Sequence, residues 1–173
     1  MLSLKEKRIE IPLASGLSLE GVLHMPEARP SAAVLICHGM LSYKDSPKHI
    51  GLARKLAGLG LAALRFDFQG RGASPGDLLE LSFTRQVDEA RAALEVLASA
   101  SGAKRFGLAG SSMGGAVAVL LTAAGAQAVH ALVTFAAVGR PGALGPRMMD
   151  PGGMRAWRER GWMEKEGERV DYA

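Results

Sequence analysis

The stretch Arg105-Phe106-Gly107-Leu108-Ala109-Gly110-Ser111-Ser112-Met113-Gly114-Gly115-Ala116-Val117 passes from a short apolar run, through glycines and serines, into small apolar residues. Arg105 to Ala109 has the length and composition of a strand, and Met113 to Ala126 those of a helix. The pentapeptide Gly110-Ser111-Ser112-Met113-Gly114 therefore fills a strand-to-helix turn. A G-x-S-x-G pattern in that setting has a mechanical meaning. The turn lifts the Ser112 hydroxyl above the C-terminal edge of a sheet, the glycines let neighbouring backbone come close, and the helix N-terminus faces developing negative charge. In a chain with 22 glycines the bare pattern arises by chance, so the strand-turn-helix setting is what makes it specific.

Upstream, Ala32-Ala33-Val34-Leu35-Ile36-Cys37 is an apolar run too short for a helix, and His38-Gly39 stops it. It predicts a strand buried on both faces. Pro47 opens a helix that Gly58 and Gly60 end, and Ala62 to Phe66 is the next strand. Phe83 to Ala98 carries Val87, Ala90, Leu94 and Leu97 on one side and Arg85, Asp88, Glu89, Arg91 and Glu95 largely on the other, an amphipathic helix. Met113 to Ala126 is too apolar for a solvent face and predicts a buried helix, followed by a strand over Val129 to Val138. At the start of the chain, Lys5 to Ile11 and Leu17 to Met25 alternate about Gly16 as an antiparallel hairpin would. The expected fold class is α/β: a mainly parallel sheet joined by right-handed crossovers, with an N-terminal antiparallel hairpin and helices on both faces.

Composition narrows the function classes. A chain of 173 residues, 48% hydrophobic and 22% charged, predicts one globular domain. The net charge of +4 is scattered, with no basic run interleaved with aromatics, which argues against nucleic acid as a partner. The single cysteine, Cys37, excludes an internal disulfide framework and a multi-cysteine zinc site, and its apolar run predicts a packed thiol. No apolar stretch approaches the roughly 18 residues of a membrane span, and Met1 to Leu13 lacks a secretory core; a cytoplasmic protein is expected. Gly70-Arg71-Gly72 lacks the third glycine of a dinucleotide fingerprint, and no Gly-Lys-Ser/Thr ending occurs. No cofactor and no metal are expected.

His38-Gly39-Met40 closes the strand before the first helix, where a loop presents a backbone N–H toward the face of Ser112. The candidate oxyanion donors are the N–H groups of Met40 and of Met113, the residue after the serine. The His38 side chain reads most simply as a packed histidine that orients its loop. With His38-Gly39, the loop Asp67-Phe68-Gln69-Gly70-Arg71-Gly72-Ala73-Ser74 and the turn at Ser112 in that order, residues 5 to 138 resemble the α/β-hydrolase family. The loop is similar to the D-x-x-G-x-G-x-S loop of its esterase, thioesterase and peptidase-like members, where it shapes a pocket wall. The resemblance implies a serine hydrolase of carboxylic esters or thioesters, with Ser112 as nucleophile and a small-molecule acyl ester or thioester as substrate. An acyltransferase differs only in what attacks the acyl-enzyme.

The resemblance also implies an acid after the seventh strand and a histidine after the eighth. Here the core is truncated after the sixth strand: the 35 residues beyond Val138 contain Asp150 and Asp171 but no histidine. His130 starts its strand, roughly 20 Å from the active edge at about 3.3 Å per residue, and His24 lies on the hairpin. His38 and His49 are the possible surrogate bases. A truncated copy, a surrogate histidine and a second polypeptide that completes the sheet each account for the missing base, and a non-catalytic fragment or interaction module is the competing class. Residues 139–173 hold Met154, Trp157 and Trp162 and read either as a partial helical cap or as a surface helix with Arg155, Arg158, Glu159, Arg160, Glu164 and Lys165 solvated. The uncovered edge of Val129 to Val138 predicts a homodimer or self-association.

Overall fold

Alternating polar and apolar residues start the chain as a hairpin: β1 (Lys5–Pro12) and β2 (Ser18–Met25) pair antiparallel about Gly16, whose φ of 86° suits a residue without Cβ. The structure is a computed structural model and describes residues 5–77, 80–125, 129–140, 156, 159–165 and 168–171. β3 (Ala33–Cys37), β4 (Ala62–Phe66), β5 (Phe106–Ser111) and β6 (Val129–Phe135) follow, with α1 (Pro47–Gly58), α2 (Phe83–Ser101) and α3 (Met113–Ala123) in the crossovers. The sheet is six-stranded in the order β1-β2-β4-β3-β5-β6. β2 pairs antiparallel with β4, and the pairs β3/β4, β3/β5 and β5/β6 are parallel. The expected α/β architecture is the observed one.

The period of two sorts side chains between the faces. Ala33, Leu35 and Cys37 of β3 and Phe106 and Leu108 of β5 join the large core under α2 and α3 with Leu94, Leu97, Val117 and Leu121. Ile36 and Ala109 point the other way, to a small cluster with Ala53 of α1. Ser82 caps α2 by accepting from Arg85 N–H, and Gly102 ends it at φ 63°. From β3 the chain moves toward β4 on one side and later to β5 on the other, so a crevice opens at the C-terminal ends of β3 and β5. In such sheets that switch point is where ligands bind.

Three sequence expectations need correction. α3 is not buried all round, because Val119 and Leu120 lie on a face that no described element covers. Glu89 does not lie on the polar side of α2 but is buried. The last strand of the parallel set stops at Phe135, where Ala136 takes φ 48° and turns the chain. β6 is an edge strand, half-buried only at Val129 and exposed from His130 to Phe135.

In the 139–173 region, Met154, Arg155, Trp157 and Arg158 lie outside the described residues, as does Asp150. Residues 159–160 are helical; Gly161 at φ 77° ends that turn, and Trp162 opens β7 (Trp162–Lys165), which pairs antiparallel with β8 (Glu168–Asp171). Trp162 thus lies on a strand, with the Arg160 guanidinium 5.3 Å from its ring centre. Asp171 is the last residue of β8.

Candidate active site

Ser112 sits between β5 and α3 at φ 53° and ψ −120°, a conformation that costs a residue with a Cβ on the order of 1–3 kcal/mol. Neighbouring groups hold it there. Ser112 N–H donates to Phe135 O at 2.9 Å, and Ser112 O accepts from Gly115 N–H at 3.0 Å and Ala116 N–H at 3.2 Å. The glycines are required by contact: a Cβ on Gly114 would overlap the carbonyl oxygens of Cys37 and His38, and one on Gly110 would overlap the carbonyl of Gly114. The result is an exposed serine side chain on a hydrogen-bonded, closely packed turn.

The loop after β3 closes on this turn. A Cβ on Gly39 would lie 3.3 Å from both Ser111 O and Ser112 Cβ and 3.9 Å from Ser112 Oγ, so His38-Gly39-Met40 runs beside the serine. Among the described residues, neither Met40 N–H nor Met113 N–H donates to a protein group. The N–H of Met113 is one of the donors that a helix start leaves without an intrahelical partner.

His38 is buried and uses both ring nitrogens. Nδ1 bonds Gly39 O at 2.7 Å and Nε2 accepts from Phe68 N–H at 3.1 Å, which defines the Nδ1-protonated neutral ring. Burial lowers its pKa to about 4. Neither nitrogen is open to take a proton from Ser112. His49 lies in the first turn of α1, with its ring centre 6.4 Å from that of His38. Its Nδ1 bonds Tyr43 O at 2.9 Å and Ser46 Oγ at 2.7 Å, and burial again lowers its pKa. No hydrogen bond joins either ring to Ser112 Oγ among the described residues. His24 is on β2, where Nε2 accepts from Arg65 Nε at 2.9 Å, and His130 is the second residue of β6.

The Asp67 to Ser74 loop is tied at both ends of its motif. Asp67, fully buried, accepts from Lys44 N–H, from Lys44 Nζ at 2.7 Å and from Ala73 N–H at 2.9 Å. Ser74 Oγ donates to Asp67 O at 2.6 Å and accepts from Glu20 N–H at 2.9 Å. Gly72, at φ 52°, leaves the room that the Asp67 carboxylate occupies. Arg65, also buried, bonds Asp45 and Lys44 O.

On the α1 face of the sheet, an apolar cavity of about 240 Å³ is lined by Ile36, Cys37, Leu52, Ala109 and Phe135, with Lys48, His49 and Ser111 at its polar end. Lys48 Nζ donates to Ser111 Oγ at 3.1 Å. Cys37 is inert there, its thiol pushed up to about 12 by burial. Sequence reading did not find the Lys48–Ser111 pair, the Asp67–Lys44 pair or Glu89. Only the Asp67 motif carried a local signal, since the other contacts join residues distant in the chain.

The serine aminopeptidase, S33, family matches residues 28–160, which includes the β3 loop, the Asp67 loop and the Ser112 turn. The chain belongs to this family of α/β-hydrolases. An uncharacterized protein of Mycobacterium tuberculosis, Rv2307c, is 40% identical over 89 residues, which is 50% of this chain and 30% of that protein. Among solved structures, Est1E from Butyrivibrio proteoclasticus, described with ferulic acid bound, superposes with a TM-score of 0.79 at 19% identity. That match covers 94% of this chain and 67% of Est1E. The Pyrococcus furiosus esterase PF2001 gives a TM-score of 0.74 at 22% identity, over 91% of this chain and 57% of the esterase. At these identities the solved structures share the α/β-hydrolase fold. The match to Rv2307c spans less than a third of that relative. Among the described residues, no helix is long and apolar enough to cross a membrane, and no group of three or more His, Cys, Asp and Glu side chains is placed to hold a metal.

Proposed function

We propose that this chain carries the nucleophile half of a serine hydrolase that acts on carboxylic esters or thioesters. The observation that carries the reading is Ser112, exposed at φ 53° on a strand-to-helix turn with Gly39 packed against it. In the reaction, Ser112 Oγ attacks the acyl carbon while its proton passes to a general base. The N–H groups of Met40 and Met113 hold the oxyanion. The tetrahedral intermediate collapses, the C–O or C–S bond breaks, and the alcohol or thiol leaves with the proton. Water then attacks the acyl-serine and releases the acid; an alcohol or thiol in its place makes the same site an acyltransferase.

The general base in this reading is not His38, whose nitrogens are both occupied. His49, whose Nδ1 is held by Tyr43 and Ser46, keeps Nε2 as an acceptor, although no bond joins it to Ser112 Oγ among the described residues. The base is His49, a group outside the described residues or one from a second polypeptide. Residues 139–173 we assign to a partial cap over the site. The exposed edge of β6, with Leu132, Val133 and Phe135 uncovered, supports self-association as a homodimer.

Labelling by a fluorophosphonate probe, read by intact mass, tests the proposal without a chosen substrate. Stoichiometric labelling that Ser112→Ala abolishes is the expected result. An oxyanion hole and binding alone sustain roughly 10³ to 10⁴ over water, so stoichiometry and rate decide, not trace turnover. A folded sample that takes no label overturns the enzyme reading in favour of a non-catalytic hydrolase fold.

A further inference from the structure

Among the described residues, three buried polar atoms of α2 have no hydrogen-bond partner: Gln86 Oε1, Gln86 Nε2 and Glu89 Oε1. The two residues lie one helical turn apart among Ala90, Ala93, Leu94 and Leu97, which pack into the core. A carboxylate is costly at such a position unless it is paired. The other oxygen of Glu89 does have a partner: Oε2 accepts from Gln69 N–H at 3.0 Å.

That contact is the first of a short series. The neighbouring amide, Phe68 N–H, donates to His38 Nε2 at 3.1 Å, and His38 Nδ1–H donates to Gly39 O at 2.7 Å. The Phe68 ring meets the His38 ring edge-on, with centres 5.0 Å apart. Gly39 packs on Ser112, and the next amide is that of Met40. Two consecutive peptide N–H groups thus divide their bonds between Glu89 on α2 and His38 on the β3 loop. Gly76 lies close beside Gln69, where a Cβ would come within 3.2 Å of Gln69 Cβ.

We infer that Glu89 is a positioning residue for the oxyanion hole: by holding Gln69 N–H it sets the Phe68 amide, through it the His38 ring, and through that ring the Gly39–Met40 turn. The inference rests on the proposed role of Met40 N–H. It carries a pH signature, since burial pushes the Glu89 carboxyl up to about 7, while Arg85 lowers it and Asp88 raises it. Both charged groups lie on α2. From the β4 loop Glu89 meets the Gln69 backbone, and no charged side chain of another described element is among the groups that shift it. Above its pKa the ionised carboxylate is the stronger acceptor and holds Gln69 harder; below it the loop is held less firmly. His38, with a pKa of about 4, stays neutral across that range, and that of His49 lies below the ordinary 6.5.

The experiment is a titration of the full chain by NMR from about pH 5.5 to 8.5, following the Glu89 carboxyl carbon and the amides of Gln69, Phe68, Gly39 and Met40. Labelling of Ser112 by the fluorophosphonate is read in parallel. The expected result is one shared midpoint close to that of the carboxyl at all four amides, which E89Q removes. The labelling rate of the wild type rises through the same midpoint. E89Q keeps an acceptor for Gln69 N–H and labels within about tenfold of wild type without that inflection, whereas E89L loses more than about tenfold. Gln69 shifts that do not continue to Gly39 and Met40 overturn the inference. So does an inflection that survives in E89Q, which remains readable if E89L fails to fold. Shared amide midpoints in a protein that takes no label uphold the positioning role and overturn the hydrolase reading instead.

Discussion

Two glycines of this chain meet opposite surroundings, and a single methyl group separates them. Gly114 lies where any Cβ would overlap the carbonyl oxygens at the end of β3, so Gly114→Ala forces the Ser112 turn and the His38 loop apart. A loss of about 3 kcal/mol is expected, together with loss of probe labelling. Gly51, in the interior of α1, is exposed with nothing within 4 Å of its Cβ position. There Gly51→Ala removes backbone freedom from the unfolded chain and should stabilise by roughly 0.5–1 kcal/mol with labelling unchanged. Urea unfolding of the two variants measures both. Asp67→Ala is expected to cost on the order of 3 kcal/mol in the same assay, because it leaves the Lys44 and Ala73 N–H groups without their acceptor and the buried Lys44 ammonium with only the half-exposed Asp45 at 3.3 Å. A loss below about 1 kcal/mol would show the pair to be solvated.

At the scale of elements, β6 differs from its neighbours in what covers it. β3 and β5 are flanked on both edges and packed on both faces, whereas β6, among the described residues, pairs only with β5 and exposes Val133 at 51% and Phe135 at 60%. Val119 and Leu120 of α3 continue the uncovered apolar surface. An apolar edge strand of this kind templates strand addition. Sedimentation over a concentration series should show reversible self-association, and Val133→Lys, which puts a charge on the edge, should shift it toward monomer. A wild type that stays monomeric at the highest concentration would overturn the proposed dimer. The turn at Ser112 is coupled to this element through the bond from Ser112 N–H to Phe135 O.

For the whole molecule, buried ionisable groups set how stability follows pH. Burial lowers the pKa values of His24 and His38 to about 4, and that of His49 is lowered too. Between pH 4 and 6.5 the unfolded chain therefore binds more protons than the folded one, so this stability is complete above about 6.5 and lost as pH falls toward 4. Glu89 acts in the opposite sense: raised from 4.5 to about 7, it contributes stability that is complete below 4.5 and lost as pH rises through 7. The histidines outnumber the one carboxyl, so Tm should peak near pH 6.5 and fall more steeply on the acid side. For a chain of this size each kcal/mol moves Tm by roughly 2–4 °C. Thermal unfolding in a pH series checks this, and a flat acid limb would mean that the histidines are not buried neutral.

The order of strands and helices as far as β6, and the turn that exposes Ser112, were legible in the amino-acid sequence because they follow from local rules; the β7–β8 pair, in a stretch read as a helical cap or surface helix, was not. Periods of two and near four, glycines at strand ends and a small-residue helix start act within a few residues of one another. The Asp67 to Ser74 motif was legible for the same reason, since the bonds between its two ends, from Ala73 N–H to the Asp67 carboxylate and from Ser74 Oγ to Asp67 O, close within the loop. Tertiary structure decided the rest. His38 read most simply as a support, with a role as base left open, until its two ring nitrogens met Gly39 and Phe68. Glu89 fell on the polar side of α2 by count, yet the helix packs with that residue turned inward to the Gln69 amide. Neither outcome is encoded by spacing, because each depends on which backbone groups a side chain finds unpaired when distant segments pack together. A desolvated donor or acceptor left without a partner costs about 1–3 kcal/mol, and only the assembled fold shows where those partners lie.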